Sequence, residues 1–303
     1  MPYRFTADET VQDGLRRCAR EQLDAAVAEL TTRVHDDPVE AVHDARKDLK
    51  KARSLLRLTR AAIDRDVRRR ENKALRDAGR ALSSARDAEV MLQALDDLAD
   101  HFVGQVPQAT FEAIRRHLES ERDTARQRML ASGLPGQTAE KLKSVRARVD
   151  DRPIRRGEWK ALEPGLLRSY KRGRKAMAIA RSARTVEALH EWRKRSKDLW
   201  YHLRMLKPVS PGIVGGQAKE AHALSDLLGD DHDLAILRGA LASGAGGLAV
   251  DLEAVIELID RRREQLQSEA FRVGGRLYGE SPKAFGRRLH SYWKVWRPAP
   301  ALT

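Results

Sequence analysis

The stretch "VHDARKDLKKARSLLRL" at 42–58 returns in altered form as "LHEWRKRSKDLWYHLRML" at 189–206, and this recurrence limits the fold more than any other feature of the 303-residue chain. With His43 set over His190, an offset of 190 − 43 = 147, Arg46 meets Arg193, Lys47 meets Lys194, Lys50 meets Lys197 and Arg57 meets Arg204. A second pair, "ALSSARDAEVM" (81–91) over "LLGDDHDLAIL" (227–237), aligns at an offset of 146 and sets Asp87 against Asp233. Self-similarity at so long a period predicts two related halves, residues 1–151 and 152–303.

Both halves read as all-α. Apolar residues recur at i, i+3, i+4 and i+7 in segments such as 9–34, 39–65, 68–98 and 109–131. Between the helical segments, "HDDPVE", "HFVGQVPQ", "SGLPGQT", "DDRPIRRGEW", "KPVSPGIVGG" and "ASGAGG" supply Gly and Pro as breaks. Charged residues make up 34% of the chain and aromatics 5%, the balance of long amphipathic helices rather than of a disordered tail. No apolar run approaches the ~20 residues a membrane span needs. The lone Cys18 excludes an intramolecular disulfide, and "MPYRFTADET" has no signal-peptide pattern, so a cytoplasmic location is expected.

Lys and Arg number 58 against 44 Asp and Glu, a net charge of +14, which favours a polyanionic partner. The charge is also patterned. At about 100° per residue, His43, Arg46, Lys47, Lys50, Arg53 and Arg57 fall within an arc of about 120°, bordering the apolar arc of Ala45, Leu49, Ala52 and Leu56. From His190 the same count gathers Arg193, Lys194, Lys197 and Arg204, with Trp200 and Tyr201 among them. Asp44, Asp48, Glu191 and Asp198 turn aside, with helical spacing only to the edge cations Lys47, Lys51, Lys194 and Arg195. A solvated face explains one such helix. Repulsion kept at matching positions in two helices points instead to an anion that relieves it, and arginine's planar fork suits phosphate oxygens.

At these residues the sequence resembles the CHAD family, the conserved histidine α-helical domain, in its stand-alone form. The resemblance runs through "ARDAEVML", "LGDDHDLAIL" and the closing "RLYGESPKAFGRRLHSYW". It implies two related four-helix bundles of long antiparallel helices in a pseudo-twofold repeat, basic faces that bind inorganic polyphosphate, no catalysis and no cofactor. Its site residues would be His43, Arg46, Lys47, Lys50, Arg53, Arg57, His190, Arg193, Lys194, Lys197, Tyr201 and Arg204, with association at polyphosphate granules. Some members carry a triphosphate-hydrolysing domain marked by Glu-x-Glu-x-Lys, a motif this chain lacks. Trp200 departs from the pattern, where Arg is expected, and Ser54 stands where the second half has Tyr201. The alternatives are a nucleic-acid binder, against which the scarcity of aromatics speaks, and an accessory domain regulating a polyphosphate-metabolising enzyme.

The weaker signals divide between function and structure. The two histidines are either anion ligands or helix-packing residues; as ligands, their pKa would be lowered by neighbouring cations and raised by a bound polyanion, tightening binding at mildly acidic pH. "DDHD" (230–233) is not a metal site, since consecutive helical residues diverge by about 100°. Arg86, Asp87 and Asp233 are expected to orient the basic side chains. Arg16, Arg17 and Arg20 on the first helix, and Tyr170, Arg172, Arg174 and Lys175 on its counterpart, either widen the basic surface or form a solvated face.

Overall fold

Side-chain caps set the starts of six helices. Thr10, Asp37, Asp64, Thr185, Asp251 and Ser281 each accept a backbone N–H of the turn that follows, satisfying a donor with no partner inside the helix. The computed structural model describes residues 3–244 and 250–297, except the side chains of 84–87. Within them lie α1 (Val11–Thr31), α2 (Pro38–Leu58), α3 (Arg65–Ala81), α4 (Ser84–His101), α5 (Gln108–Ala131) and α6 (Leu134–Ala147). There follow α7 (Glu158–Ala183), α8 (Val186–Leu206), α9 (Ile213–Gly244), α10 (Leu252–Leu277) and α11 (Pro282–Trp296). No strand occurs among the described residues, and the fold is all-α as expected.

Most Gly/Pro breaks fall between helices as predicted; "ASGAGG" lies largely outside the described residues. One expected helix, 68–98, is instead two. The chain leaves the helix at Leu82 and Ser83, where both the Ser83 hydroxyl (2.7 Å) and its N–H (3.0 Å) bond the Arg80 carbonyl. Such a local bond competes with helix continuation. The counterpart region of the second half runs unbroken as α9, 32 residues long.

Two apolar clusters hold the helices. The larger joins α1, α2, α3 and α6 to α7, α8, α11, the start of α9 and the end of α10, around Trp192, Tyr170 and Phe5. The smaller joins α4 and α5 to the far end of α9 and the start of α10, through Phe111, Ile114, Leu237 and Ile259. Residues of both halves therefore share both cores. Burial of side chains this large contributes about 1.5–3 kcal/mol each, the main force against chain entropy.

Two contacts position the basic helices. α2 and α8 cross antiparallel, with His202 Nε2 donating to the Ser54 carbonyl at 3.1 Å and Arg57 bridging to Asp198 at 2.8 Å. Burial holds His202 down at about 4, so it stays neutral there. At the C-terminal end of α2, α7 lies directly on the backbone. A Cβ on Gly165 would collide with the carbonyl oxygens of Leu58 and Arg57, so glycine sets how closely α7 approaches.

Candidate polyanion site

The basic face of α2 looks onto α3. Arg46 Nη1 donates to the Gly79 carbonyl, and Arg53 Nε donates to Asn72 Oδ1 at 3.3 Å. α3 carries Arg68, Asn72, Arg76 and Arg80 at four-residue spacing, which places them along one side of the helix. Beyond the Gly165 crossing α7 adds Arg168 and Arg172, and α8 adds Arg195. The result is a cavity of about 280 Å³ lined by Arg57, Arg60, Arg68, Arg168, Arg172 and Arg195, with Asp198 the one carboxylate in its wall among the described residues.

The charges in this corner are crowded. Burial, then Arg57, Arg76 and Arg80, hold Arg53 down at about 10. Arg60 is lowered by burial and by Arg168, Arg68 and Arg172; Arg172 is lowered by burial, Arg195 and Arg168. Arginines hydrogen-bonded to a carboxylate of their own show the opposite shift: Arg148 is raised by Glu71, Arg238 by Asp260 and Arg288 by Glu280. The Arg68 Nε is buried with no hydrogen-bond partner.

The edge cations pair as their spacing predicts. Lys47 bridges to Asp44 and Lys51 to Asp48, both at 2.6 Å, while Lys194 and Arg195 reach Glu191 at 3.0 and 2.7 Å. Although burial opposes ionisation, hydrogen bonds from Arg195 and Lys194 hold Glu191 down at about 2. Asp198 requires a correction. It turns from the stripe of its own helix but reaches across the helix crossing to Arg57, and it also bridges to Arg195 at 3.1 Å. A helical wheel of α8 alone contains no information about the partner helix.

The basic face of α8 meets α9, where Arg193 packs against Gly229. Lys197 and Arg204 lie over the Trp200 ring at 5.4 and 5.8 Å, in cation–π contact. Tyr201 departs from expectation: at 2% exposure it sits within the core, stacked on Trp200 and edge-on to Tyr3, rather than on an open surface. His190 stacks on His232 with ring centroids 3.9 Å apart. Burial, His232, Lys194 and Arg193 together push it down to about 4, the expected direction, with burial the larger cause.

The stripe is not brought to one place. Arg46, Lys50, Arg53 and Arg57 run along half-buried α2 toward the arginine cavity. His43 lies at the other end with Asp233, in a cavity of about 760 Å³ whose wall holds Asp37, Glu40, Glu89, Asp97 and Asp230 beside Arg122, Arg126 and Arg262. The Arg86 and Asp87 side chains lie outside the described residues. Among the described residues, no group of three or more His, Cys, Asp and Glu is arranged to hold a metal ion.

Sequence reasoning left out Arg60, Arg68 and Arg168, and set Arg195 only at the edge of the α8 stripe. Arg60 continues the α2 stripe three residues past Arg57, and Arg168 precedes Arg172 and Lys175 at helical spacing, so the same count carried further finds both. On α1 the cations are paired: Arg16 with Asp13, Arg17 with Glu9 and Glu21, Arg20 with Asp150. On α7, Tyr170 is buried with its hydroxyl donating to the Leu277 and Glu280 carbonyls, and Arg174 points to Glu280.

Fold and site define an all-helical protein that gathers guanidinium groups where its helices cross. The CHAD domain family model matches residues 17–242, and the chain belongs to that family. Solved structures of similar fold include PptA from Streptomyces chartreusis, with a TM-score of 0.59 and 15% identity over 94% of this chain and 100% of that one. Another is the CHAD domain from the plant Ricinus communis, with a TM-score of 0.55 and 17% identity over 95% of this chain and 94% of that one. Uncharacterized proteins from two Mycobacterium tuberculosis strains are 29% identical over 259 residues, 78% of this chain and 48% of theirs. The chain thus spans about half the length of the curated relatives it matches. The family is associated with polyphosphate, and its domain is generally a binding rather than a catalytic one.

Proposed function

We propose that the protein binds inorganic polyphosphate without turning it over. The observation that carries this reading is the cavity of six arginines facing one carboxylate, in which guanidinium groups lower one another's pKa. An anion threaded there relieves that repulsion, and bidentate arginine contacts suit phosphate oxygens. Arg46, Lys50, Arg53 and Arg57 hold the chain along α2, Arg193, Lys194, Lys197 and Arg204 along α8, and Lys47 adds charge at the rim. His43 and His190 flank the site, and Asp233 orients its neighbours. The two halves, 1–151 and 152–303, each supply one basic helix. The same reading places the protein in the cytoplasm, at polyphosphate granules or beside an enzyme that works on the same polymer.

Equilibrium binding of labelled polyphosphate tests this directly. Arg60→Glu with Arg168→Glu should weaken binding on the order of a hundredfold, because two charge-assisted hydrogen bonds to phosphate no longer form, while circular dichroism shows the helices intact. Wild-type affinity in that variant overturns the site. Excess RNA or DNA at equal phosphate concentration should compete poorly, and incubation with Mg²⁺ should release no phosphate. Preferential binding of nucleic acid or steady phosphate release overturns the reading.

A further inference from the structure

We infer that the binding track does not end with α2 but runs through the arginine cavity onto the exposed face of α7, so that chains too short to reach α7 lose part of the grip. The inference rests on the polyphosphate reading and assigns it a further segment. Arg60, Arg168 and Arg172 line the 280 Å³ cavity and also a second one of about 450 Å³, where Lys171 and Lys175 join them. The cavities therefore adjoin, with three arginines common to both walls, and the second holds no carboxylate in its wall among the described residues. Arg168, Lys171 and Lys175 are exposed, and no carboxylate lies within ion-pair distance of any of them among the described residues. From Arg168 to Lys175 the helix rises about 10 Å, two turns of added track.

The other half has no such segment, and the reason is structural. At the sequence offset of 147 that aligns the two basic helices, Arg168, Lys171, Arg172 and Lys175 correspond to Glu21, Asp24, Ala25 and Ala28 of α1. Gly165, which lets α7 rest on the end of α2, corresponds to Cys18. The Cys18 side chain is buried against the Arg4 carbonyl, and the N-terminal segment, with Phe5 N–H bonded to the Met205 carbonyl at 3.2 Å, runs along the end of α8. The track therefore extends at one end only, and a long polymer leaves the molecule over α7.

The test compares polyphosphate of about ten units with polyphosphate of about a hundred, in wild type and in Lys171→Glu/Lys175→Glu, which alters only the second cavity, with binding followed against salt. For the long polymer the slope of log K against log salt should fall by about two and affinity by about tenfold, while the short polymer changes less than about threefold. A control with the same change in net charge, Arg116→Glu/Arg128→Glu, touches neither cavity and should preserve the wild-type dependence on length. Equal losses on both lengths, or none on the long one, overturn the α7 segment. Failure of the wild type to bind either length overturns the polyphosphate reading itself.

Discussion

The two cavities at the ends of α2 differ in size and, more sharply, in charge balance. The larger, near His43, sets six carboxylates against three arginines, and its acids repel one another: burial, Asp233, Asp226 and Asp97 push Asp230 up to about 6. The smaller, at the Gly165 crossing, sets six arginines against Asp198 alone. A polyanion is repelled by the first and relieves strain in the second. One helix thus carries a basic face between two sites of opposite sign, and the variants that separate those sites most sharply act on the crossing that builds the second.

The largest effect is expected from Gly165→Ala. Its methyl group meets backbone on α2, which cannot swing away as a side chain does, so α7 must shift. A loss of about 3 kcal/mol, and a melting midpoint lower by about 5 °C or more, should follow. Polyphosphate binding at that end should weaken with it. An unchanged melting curve would show that the crossing is loose and that the arginine cavity has no rigid frame.

Asp198→Asn has effects of opposite sign on stability and binding. Its carboxylate is buried and holds both Arg57 and Arg195. Removing the charge should cost about 1–3 kcal/mol of stability, because Arg57 loses its carboxylate partner and Arg195 is left with Glu191 alone. Polyphosphate should bind severalfold tighter, since phosphate no longer competes with a resident anion. Weaker binding would make Asp198 a positioning group for Arg57 rather than a competitor.

The repeat and the helical period make the fold class and the basic helices legible in the sequence. The Gly/Pro breaks are local chemistry, read without knowledge of the tertiary structure. What the sequence conceals depends on the partner helix. Asp198 faces away on its own wheel and meets Arg57 only because α8 crosses α2. Tyr201 shares the stripe's arc but is buried by the N-terminal segment through Tyr3. The arginine cavity draws on four helices, and only Arg57 and Arg172 among its members stand out in the sequence. The 68–98 pattern is continuous, and a single serine bonded to Arg80 breaks it.

The next effect is on pH dependence and concerns the other end of the comparison. His190 and His232 titrate near 4 in the folded chain and near 6.5 when unfolded. Above about 6.5 both states are neutral and nothing differs; as pH falls from there toward 4 the unfolded chain takes up protons first, so stability declines. Denaturation midpoints should fall over that window, and less steeply in His190→Gln/His232→Gln. The stacked pair stays neutral at mildly acidic pH, so the expected tightening there does not come from it. Asp230, pushed up to about 6 in the same cavity wall as His43, loses charge between pH 7 and 6, so Asp230→Asn should reduce any gain in affinity over that window. A gain that survives in the Asp230 variant and disappears in the double histidine variant would return the role to the histidines.

The smallest effect belongs to Trp200, the residue that replaces an expected arginine. Its ring lies under both Lys197 and Arg204 and packs edge-on with His222, so it fixes two cations of the α8 stripe in place of supplying one. A cation–π contact at a partly exposed site contributes about 0.5–1 kcal/mol, so Trp200→Leu should weaken polyphosphate binding about two- to fivefold through a less ordered Lys197 and Arg204. Trp200→Arg adds a charge but removes the platform. If it restores or exceeds wild-type affinity, charge alone matters along α8; if it binds like Trp200→Leu, the geometry of the two held cations is what the phosphates read. The α2 side, where Arg53 is crowded by Arg57, Arg76 and Arg80 without an aromatic platform, depends on charge density instead. The two basic helices would then share a spacing but hold the same polymer by different means.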